Sequence, residues 1–236
     1  MINFNADIGE GIGNEKELMP YLHSCNIACG GHAGNASEME KAVKLAIQYD
    51  VQIGAHPSFE DKKNFGRQVL NVSEKTIFNG VKKQIELLHE IVQDHGASLS
   101  HVKPHGALYH EACTKQSTAK AVVEATQALE LPLKLVGLPN SIFEKVTLKA
   151  GHQFIREGFA DRAYHHKGTL VSRSSSNAVI TNKNKAFQQV KQLINGKVLT
   201  IDGLKIDLLV ETICFHGDTP QAVKLLQYCH EHIAQL

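Results

Sequence analysis

The stretch Asn26-Ile-Ala-Cys-Gly-Gly-His32-Ala-Gly34 shows the pattern on which the fold depends: a short apolar, strand-like run passes into a glycine-bearing turn that holds a histidine. A run near the start of the chain, Ile2 to Gly11, ends in the same way but with the acids Asp7 and Glu10. Titratable groups after five strand-like runs predict one shared rim where chemistry takes place, which is typical of a barrel enzyme. The other three runs are Ile53-Gly-Ala-His56-Pro57, Val102-Lys-Pro-His105-Gly106 and Ile213-Cys-Phe-His216-Gly-Asp218.

Composition limits the classes of protein to which the chain can belong. Its 236 residues, 42% hydrophobic and 21% charged, predict one globular domain over 1–236. The formal net charge of +1 argues against nucleic acid as a partner. No apolar run is long enough to span a membrane, and the N-terminus lacks the pattern of a signal peptide, so we expect no membrane partner and a cytoplasmic location. The odd number of cysteines fits reduced thiols, namely Cys25, Cys29, Cys113, Cys214 and Cys229.

Strand-like and helical patterns alternate along the chain, which implies parallel strands with right-handed crossovers. An open doubly wound sheet and a barrel both satisfy this pattern. Polar residues at nearly every strand end favour the barrel, since only a barrel brings all the carboxyl ends to one mouth. We therefore predict an α/β fold, a seven-stranded (β/α) barrel similar to a TIM barrel. The predicted strands are 2–7, 24–29, 51–55, 98–103, 133–136, 152–157 and 207–214.

Several local signals mark the connections. Ser37-Glu-Met-Glu40 resembles a helix capping box, and Ser73 begins a long amphipathic helix that ends near Gly96. The Asp-Gly dipeptide within Val198 to Ile206 predicts a hairpin. Thr219-Pro220 supplies an N-cap and a first-turn proline for the last helix. The long, weakly patterned segment 158–183 is of the kind that is functional or ordered by a partner.

The first strand end carries Asn5, Asp7 and Glu10. Asn5 and Asp7 lie two residues apart and so point to the same side of a strand. Asp7 could bind a metal, orient a histidine or act as a base; alternatively, these residues form only a strand-ending turn. A single histidine is more often structural than functional, but His32 and His56 follow successive strands. With Asp7 they could bind a divalent metal and leave positions open for water or substrate.

Other charged residues follow the later strands. Lys103 comes directly after an apolar run, where an ammonium can stabilise an oxyanion or a phosphoryl group. Arg67 offers a planar fork for a carboxylate, unless it is only a loop arginine. Asp161-Arg162 could pair with each other or with substrate, and an adjacent pair of this kind is usually structural. In His216-Gly-Asp218, the acid could serve as a cap of the last helix. No Gly-Lys-Ser/Thr loop for phosphate is present.

In combination, these segments resemble the LamB/YcsF family from Asn3 to about Val223. The resemblance implies a seven-stranded barrel akin to the glycoside hydrolase/deacetylase superfamily. It also implies ATP-dependent hydrolysis of 5-oxo-L-proline to L-glutamate by a 5-oxoprolinase, in which family members are the A subunit and work with subunits B and C. The motifs are Asn5-x-Asp7-x-Gly-Glu10, Asn26-Ile-Ala-Cys-Gly-x-His32-Ala-Gly, Gly54-Ala-His-Pro57, Phe65-Gly-Arg67, His101-Val-Lys-Pro-His-Gly-Ala-Leu-Tyr109, Phe159-Ala-Asp-Arg-Ala-Tyr164 and Cys214-x-His-Gly-Asp-Thr-Pro220.

Residues and resemblance together predict the site. The expected catalytic residues are Asp7, Glu10, His56, Lys103 and His105. The expected substrate-binding residues are Asn5, His32, Arg67, Arg162 and His216. The expected cofactors are ATP, magnesium with the ATP, and a divalent metal on Asp7, His32 and His56. A homo-oligomer is left open.

The chain departs from the family pattern at several positions. The family usually has phenylalanine, aspartate, arginine, an acid, proline and glycine where this chain has Gly31, Asn35, Gln68, Lys167, Ser172 and Asn177. Two alternatives to the lactam-hydrolysing function stay open from sequence. One is a metal-dependent amide or N-acetyl hydrolase that works alone, and the other is a scaffold without catalysis that delivers substrate to partner subunits.

Overall fold

Seven parallel strands close into a barrel in the computed structural model, which describes residues 2–219 and 221–233. The order around the barrel is that of the chain, and the last strand pairs with the first, so the predicted (β/α) barrel is confirmed and the open sheet is excluded. The barrel strands are β1 (Asn3–Ile8), β2 (Ser24–Ala28), β3 (Gln52–His56), β4 (Leu99–Val102), β5 (Lys134–Gly137), β6 (Phe154–Phe159) and β9 (Thr212–His216). A separate antiparallel pair consists of β7 (Lys197–Leu199) and β8 (Lys205–Asp207).

Helices lie between the strands and cover the outside of the barrel. Apolar positions of the long helix after β3, including Ile77, Val81 and Ile85, are buried in the core. No helix of the described residues is long and apolar enough to cross a membrane. That residues 1–236 form one domain stays a prediction. The helices are α1 (Glu15–Leu18), α2 (Ala36–Gln48), α3 (Glu74–Asp94), α4 (Gly106–Thr114), α5 (Gln116–Gln127), α6 (Ile142–Lys149), α7 (Lys183–Ile194) and α8 (Ala222–Ile233).

Local predictions agree with the structure except at three places. One of them is Thr219, since α8 begins only at Ala222 and the Thr219 hydroxyl donates to Asp161 Oδ2. Ser73 caps α3 by accepting a hydrogen bond from the Thr76 amide, as expected. The capping box at Ser37 is wrong, because the extended Asn35 is the N-cap of α2 and accepts from the Glu38 amide. The hairpin is confirmed as β7–β8, but residues 208–211 connect it to β9 and are not strand as predicted. The predicted first-turn Pro220 lies outside the described residues.

The barrel interior is polar at its centre, unlike the branched apolar layers usual in TIM barrels. Along β1, Phe4, Ala6 and Ile8 pack in the apolar core, while Asn5 and Asp7 alternate with them and take part in a buried hydrogen-bond network. Asn5 donates to Thr212 at 2.8 Å, and Asn26 donates to Asn5 at 2.9 Å. Because these groups satisfy one another, the barrel holds polar side chains in fixed positions in its interior.

The segment after β6 is ordered by its own hydrogen bonds and folds beside the carboxyl ends of the strands. Bridges join Arg162 to Val179 and Tyr164 to Leu170, and the Ile180 amide donates to the Asp161 carbonyl at 2.8 Å. The sequence suggests that 158–183 is functional or ordered by a partner. Its placement at the mouth fits the first of these, since several of its side chains line the cavity described next.

Candidate functional site

A cavity of about 520 Å³ opens at the carboxyl ends of the barrel strands. Its size is that of a small-molecule site. Asn5 does not line it but lines a smaller cavity of about 230 Å³ at the opposite ends of the strands, and His32 is buried behind Glu10. The predicted site residues that line the large cavity are Asp7, Glu10, His56, Arg67, Lys103, His105, Arg162 and His216.

Lys103 lies at the floor of this cavity and is only 2% exposed. Its ammonium contacts Asp7 Oδ1 at 2.8 Å, Glu157 Oε1 at 2.9 Å and Cys214 Sγ at 3.1 Å. These contacts come from three other strands and use all three N–H bonds of the ammonium. Burial alone would lower the pKa of Lys103, but the charges of Asp7 and Glu157 hold it well above its ordinary value. The lysine therefore stays charged and its donors are already engaged.

Asp7 is the central acceptor of the same network. Its Oδ1 accepts from Asn26 Nδ2 at 2.8 Å as well as from Lys103, and its Oδ2 lies 3.4 Å from His56 Nε2. Burial opposes ionisation, but the neighbouring His56 and the positively charged Lys103 outweigh it and hold the pKa of Asp7 well below its ordinary value. At neutral pH the cavity floor thus carries an ionised carboxylate with one oxygen already fully engaged.

Glu157 and Tyr109 belong to this network, although sequence did not predict them as site residues. Glu157 is fully buried in β6, where it pairs with Lys103 and accepts from Asn5 Nδ2 at 3.1 Å and from the Tyr109 hydroxyl at 3.0 Å. Burial, followed by the charge of Glu157, raises the pKa of Tyr109 well above its ordinary value, so the phenol remains a donor. An acid inside a predicted barrel strand, near its carboxyl end, is the signal that could have identified Glu157.

Glu10 lies at the centre of a group of imidazoles. His32 Nε2 lies 3.0 Å from Glu10 Oε1, His105 Nδ1 lies 3.3 Å from it and His56 Nε2 lies 3.9 Å from it. Burial and the neighbouring Asp7 raise the pKa of Glu10 to about 7. A buried carboxyl of this kind in a cavity either transfers protons or receives a ligand that compensates its charge.

Two of the imidazoles around Glu10, those of His32 and His105, are strongly disfavoured as cations. Burial and the neighbouring His56 lower the pKa of His32 to about 2. Burial, together with the neighbouring His32 and His56, holds the pKa of His105 well below its ordinary value. Neutral imidazoles bind metal ions and accept protons, whereas imidazolium ions do neither.

The structure divides the predicted metal ligands Asp7, His32 and His56 between two groups. His32 and His56 lie with Glu10 and His105, and the ligand atoms of these four residues are all within 4.8 Å of one another. Asp7 lies in a second group with Cys214 and His216. The contribution of Glu10 and His105 could not be inferred from sequence, because their approach to His32 depends on how the turns after β1, β2 and β4 fold over the mouth.

Arginines form a cationic rim on one side of the cavity. Arg67 and Arg173 both donate to the carboxylate of Asp218, the latter at 2.9 Å. Asp218 is therefore engaged by arginines, and its role as a cap of the last helix stays a prediction. Arg162 is 3% exposed; it donates to the Val171 carbonyl at 2.6 Å, and its Nε has no hydrogen-bond partner among the described residues. A buried guanidinium with a free donor beside a cavity is suited to an anionic group of a ligand.

His216 is held by Asp161, so the suggested pair of Asp161 with Arg162 is wrong. His216 Nδ1 lies 2.9 Å from Asp161 Oδ1, and Asp161 Oδ2 accepts from the His216 amide and the Thr219 hydroxyl. The ring stacks on Phe159 with centroids 5.3 Å apart. Burial opposes ionisation of Asp161, but His216 and these hydrogen bonds hold its pKa below the ordinary value. His216 thus forms one wall of the cavity.

Comparison with known proteins agrees with this barrel fold. The sequence model of the LamB/YcsF family matches residues 2–236. The chain belongs to the LamB/YcsF family. The A subunit of 5-oxoprolinase from Bacillus cytotoxicus is 42% identical over 232 residues, covering 96% of this chain and 92% of that protein. The protein of the same name from Haemophilus influenzae is 40% identical over 233 residues, covering 98% and 95%.

A solved structure is similar to this barrel over nearly its whole length. The crystal structure of a lactam utilization protein from Thermus thermophilus matches with a TM-score of 0.92 and 35% identity. The alignment covers 99% of this chain and 96% of that one, so the two proteins share their fold over nearly their whole lengths.

Three of the six departures from the family pattern fit their local surroundings in this LamB/YcsF member. At Gly31, where phenylalanine is usual, a Cβ atom would collide with the side chains of Gln84 and Ser58, which occupy that space. Asn177 adopts a φ of 61°, a left-handed conformation that suits the glycine usual there and that asparagine tolerates. Asn35 retains the capping role that aspartate would serve.

Proposed function

We propose that this chain is the A subunit of an ATP-dependent 5-oxoprolinase, which hydrolyses 5-oxo-L-proline to L-glutamate together with subunits B and C. One observation carries the proposal: relatives named as the A subunit of 5-oxoprolinase match at 40% and 42% identity over more than nine-tenths of both chains. A cavity lined by carboxylates, imidazoles and arginines supports hydrolysis of a small anionic substrate.

The reaction sets three chemical requirements. A five-membered lactam is a poor electrophile, and opening its ring is close to thermoneutral, so ATP is used to activate it. In the proposed order of steps, ATP phosphorylates the amide oxygen, and water then adds to the amide carbon. Cleavage of the ring C–N bond, with a proton taken up by the nitrogen, then gives γ-glutamyl phosphate. A second water hydrolyses this acyl phosphate to glutamate and phosphate, and ADP remains from the first step. The site needs a base for water, an anchor for the substrate carboxylate and cations for the phosphate.

The described residues can meet each requirement. Asp7 is the proposed base, because it is ionised at the cavity floor and its Oδ2 is less engaged than Oδ1. Lys103 is proposed to act through Asp7 as a positioning residue, since its own donors are occupied. Arg162 is the proposed anchor for the substrate carboxylate, and Arg67 and Arg173 at the rim are the proposed partners of phosphate.

The nucleotide is proposed to bind in a site completed by the partner subunits. The sequence carries no Gly-Lys-Ser/Thr phosphate loop, and magnesium is expected to accompany ATP. A cytoplasmic location follows as part of the same proposal, because ATP is a cytoplasmic co-substrate.

The decisive experiment measures glutamate release from 5-oxoproline and ATP by this chain, alone and with subunits B and C. We expect activity only with ATP and both partners. Asp7→Asn preserves the shape of the side chain and should lower kcat by about 100-fold or more, the usual contribution of a general base. The matched control, Asp202→Asn, changes an exposed acid in the β7–β8 turn and should leave kcat unchanged. Full activity of Asp7→Asn would instead favour the non-catalytic scaffold.

A second candidate function is a metal-dependent amide or N-acetyl hydrolase that works alone. The observation that favours it is the convergence of Glu10 with three histidines at the mouth. Hydrolysis of a simple amide by the purified chain, without ATP and without partners, would support this candidate and contradict the 5-oxoprolinase proposal.

A further inference from the structure

The hydrogen bonds of two histidines fix which of their ring nitrogens carry lone pairs. His56 Nδ1 lies 2.7 Å from the Lys103 carbonyl oxygen, and His105 Nε2 lies 2.9 Å from the Phe65 carbonyl oxygen. A carbonyl oxygen only accepts, so both of these nitrogens carry hydrogen. In the neutral rings, the lone pairs are therefore on His56 Nε2 and His105 Nδ1. These two atoms face each other at 3.0 Å.

Two facing lone pairs repel unless a cation lies between or beside them, and Glu10 adds a third acceptor at the same place. Glu10 Oε1 lies 3.3 Å from His105 Nδ1 and 3.9 Å from His56 Nε2. Ligand atoms about 2.0–2.1 Å from a tetrahedral zinc ion are about 3.3 Å from one another. The spacing of the three acceptors thus fits one ion better than it fits three mutually repelling groups.

His32 differs from the other two imidazoles. Its ring stacks on His105 with centroids 3.6 Å apart and planes inclined by 1°. An ion bound by an imidazole lies close to the plane of the ring, so one ion cannot lie in the planes of two rings stacked in this way. His32 Nε2 instead reaches Glu10 Oε1 at 3.0 Å, the position of a group that orients a metal-binding carboxylate.

From these contacts we propose that Glu10, His56 and His105 bind one divalent transition-metal ion, with His32 as the supporting residue that orients Glu10. One carboxylate and two histidines form the donor set of catalytic zinc sites that leave a position open. This set differs from the one suggested by sequence, since Glu10 and His105 take the places of Asp7 and His32. His56 and His105 each donate their other N–H to a backbone carbonyl, as ligand histidines almost always do.

The site also has a place in the proposed hydrolysis, a role that depends on the proposed function whereas metal binding does not. A divalent ion at this point supplies Lewis-acid polarisation of a carbonyl oxygen. The three ligands line the same cavity as Asp7, whose Oδ2 is 3.4 Å from His56 Nε2. The proposed base and the proposed ligands therefore face the same bound molecule.

Metal binding by the purified full chain tests the site without lactam, ATP or partner subunits. After removal of metal with a chelator, the chain is titrated with zinc by calorimetry, and bound zinc is measured by elemental analysis after desalting. We expect about one zinc ion per chain and a higher Tm in its presence. Cobalt, as an optical probe of the same site, should give the visible absorption of a four-coordinate ion.

Matched variants separate ligands from supporting residues. Glu10→Gln and His105→Ala should each abolish stoichiometric zinc binding, whereas His32→Asn should bind about one ion with affinity lowered about 10- to 100-fold. The control His165→Ala removes an exposed histidine of the same cavity and should bind as the unchanged chain does. Circular dichroism shows which variants are folded, and the mild Glu10→Gln keeps the test valid if His105→Ala does not fold.

Two results would overturn the site. One is far less than one zinc ion per chain in the unchanged protein, which would mean that His56 and His105 share a proton instead. The other is undiminished binding in both Glu10→Gln and His105→Ala, which would mean that the ion binds elsewhere. Zinc binding is measured without substrate, so it can be found even if the chain releases no glutamate. Conversely, a chain that binds no zinc can still be tested for ATP-dependent glutamate release.

Discussion

Replacing Lys103 by methionine tests the buried charge network most directly. Methionine has nearly the length of lysine but no charge, so Lys103→Met removes the ammonium that lies 2.8 Å from Asp7 and 2.9 Å from Glu157. At an effective dielectric constant of about 20, each of these contacts has a Coulomb energy of about 6 kcal/mol. Desolvation of the buried ions offsets much of this attraction.

The net effect follows from what the substitution leaves behind. Removing one partner of a buried ion pair typically costs about 3–5 kcal/mol, because the remaining charge is uncompensated. Lys103→Met leaves two such carboxylates, and we expect a loss of about 4 kcal/mol in the free energy of unfolding. Adding Glu157→Gln removes one of the two unpaired carboxylates, so the double variant should recover about half of the lost free energy of unfolding.

The assay is equilibrium unfolding in urea followed by far-ultraviolet circular dichroism, since the chain has no tryptophan to report by fluorescence. Lys134→Met, which changes an exposed lysine in β5, is the control and should alter stability by about 0.5 kcal/mol or less. A loss below about 1 kcal/mol for Lys103→Met, or a double variant no more stable than the single one, would refute the account of the network.

Two further predictions concern the cavity wall. Arg162→Lys should raise KM for 5-oxoproline by about 10- to 100-fold with a smaller change in kcat, because the planar guanidinium that would bind the substrate carboxylate is lost. Steady-state kinetics of the reconstituted enzyme measures this change. An unchanged KM contradicts the anchor role. Asp161→Asn should lower stability by about 2 kcal/mol at neutral pH. Since the folded pKa of Asp161 is depressed, its contribution is complete above the ordinary value of about 3.9 and is lost as pH falls through the folded pKa. The difference in free energy of unfolding between the unchanged protein and Asp161→Asn should therefore become smaller in acid. Urea titrations at several pH values measure it, and a difference that stays constant with pH would show that His216 is not the partner of Asp161.

Much of the fold was predictable because its signals are local. Each predicted strand overlaps an observed barrel strand, since a fully buried parallel strand appears in sequence as a short apolar run before a turn. The polar ends of these runs also predicted the barrel mouth. The errors at Ser37 and at 208–211 are of a different kind. At Ser37 a second local pattern, the cap from Asn35 to the Glu38 amide, begins the helix, and at 208–211 the chain after the hairpin does not yet belong to a barrel strand.

The candidate site was only partly predictable, because its contacts join distant strands. Glu157 and Asn26 are ordinary strand residues in sequence, and only closure of the barrel brings them to Lys103 and Asp7. Likewise, Arg67 was expected to bind the carboxylate of a ligand, but in the fold it donates to Asp218, which is 151 positions away along the chain.

The sequence by itself determined where the strands lie, which ends carry titratable groups, and that Asn5 and Asp7 share a face. These follow from periodicity and turn chemistry, which act over a few residues. Only the tertiary structure decided how the histidines differ. The carbonyl groups of Lys103 and Phe65 set the hydrogen positions on His56 and His105, and stacking on His105 sets His32 apart. Protonation and ligand geometry depend on distances of a few ångströms between segments far apart in the chain, and no local pattern encodes such distances.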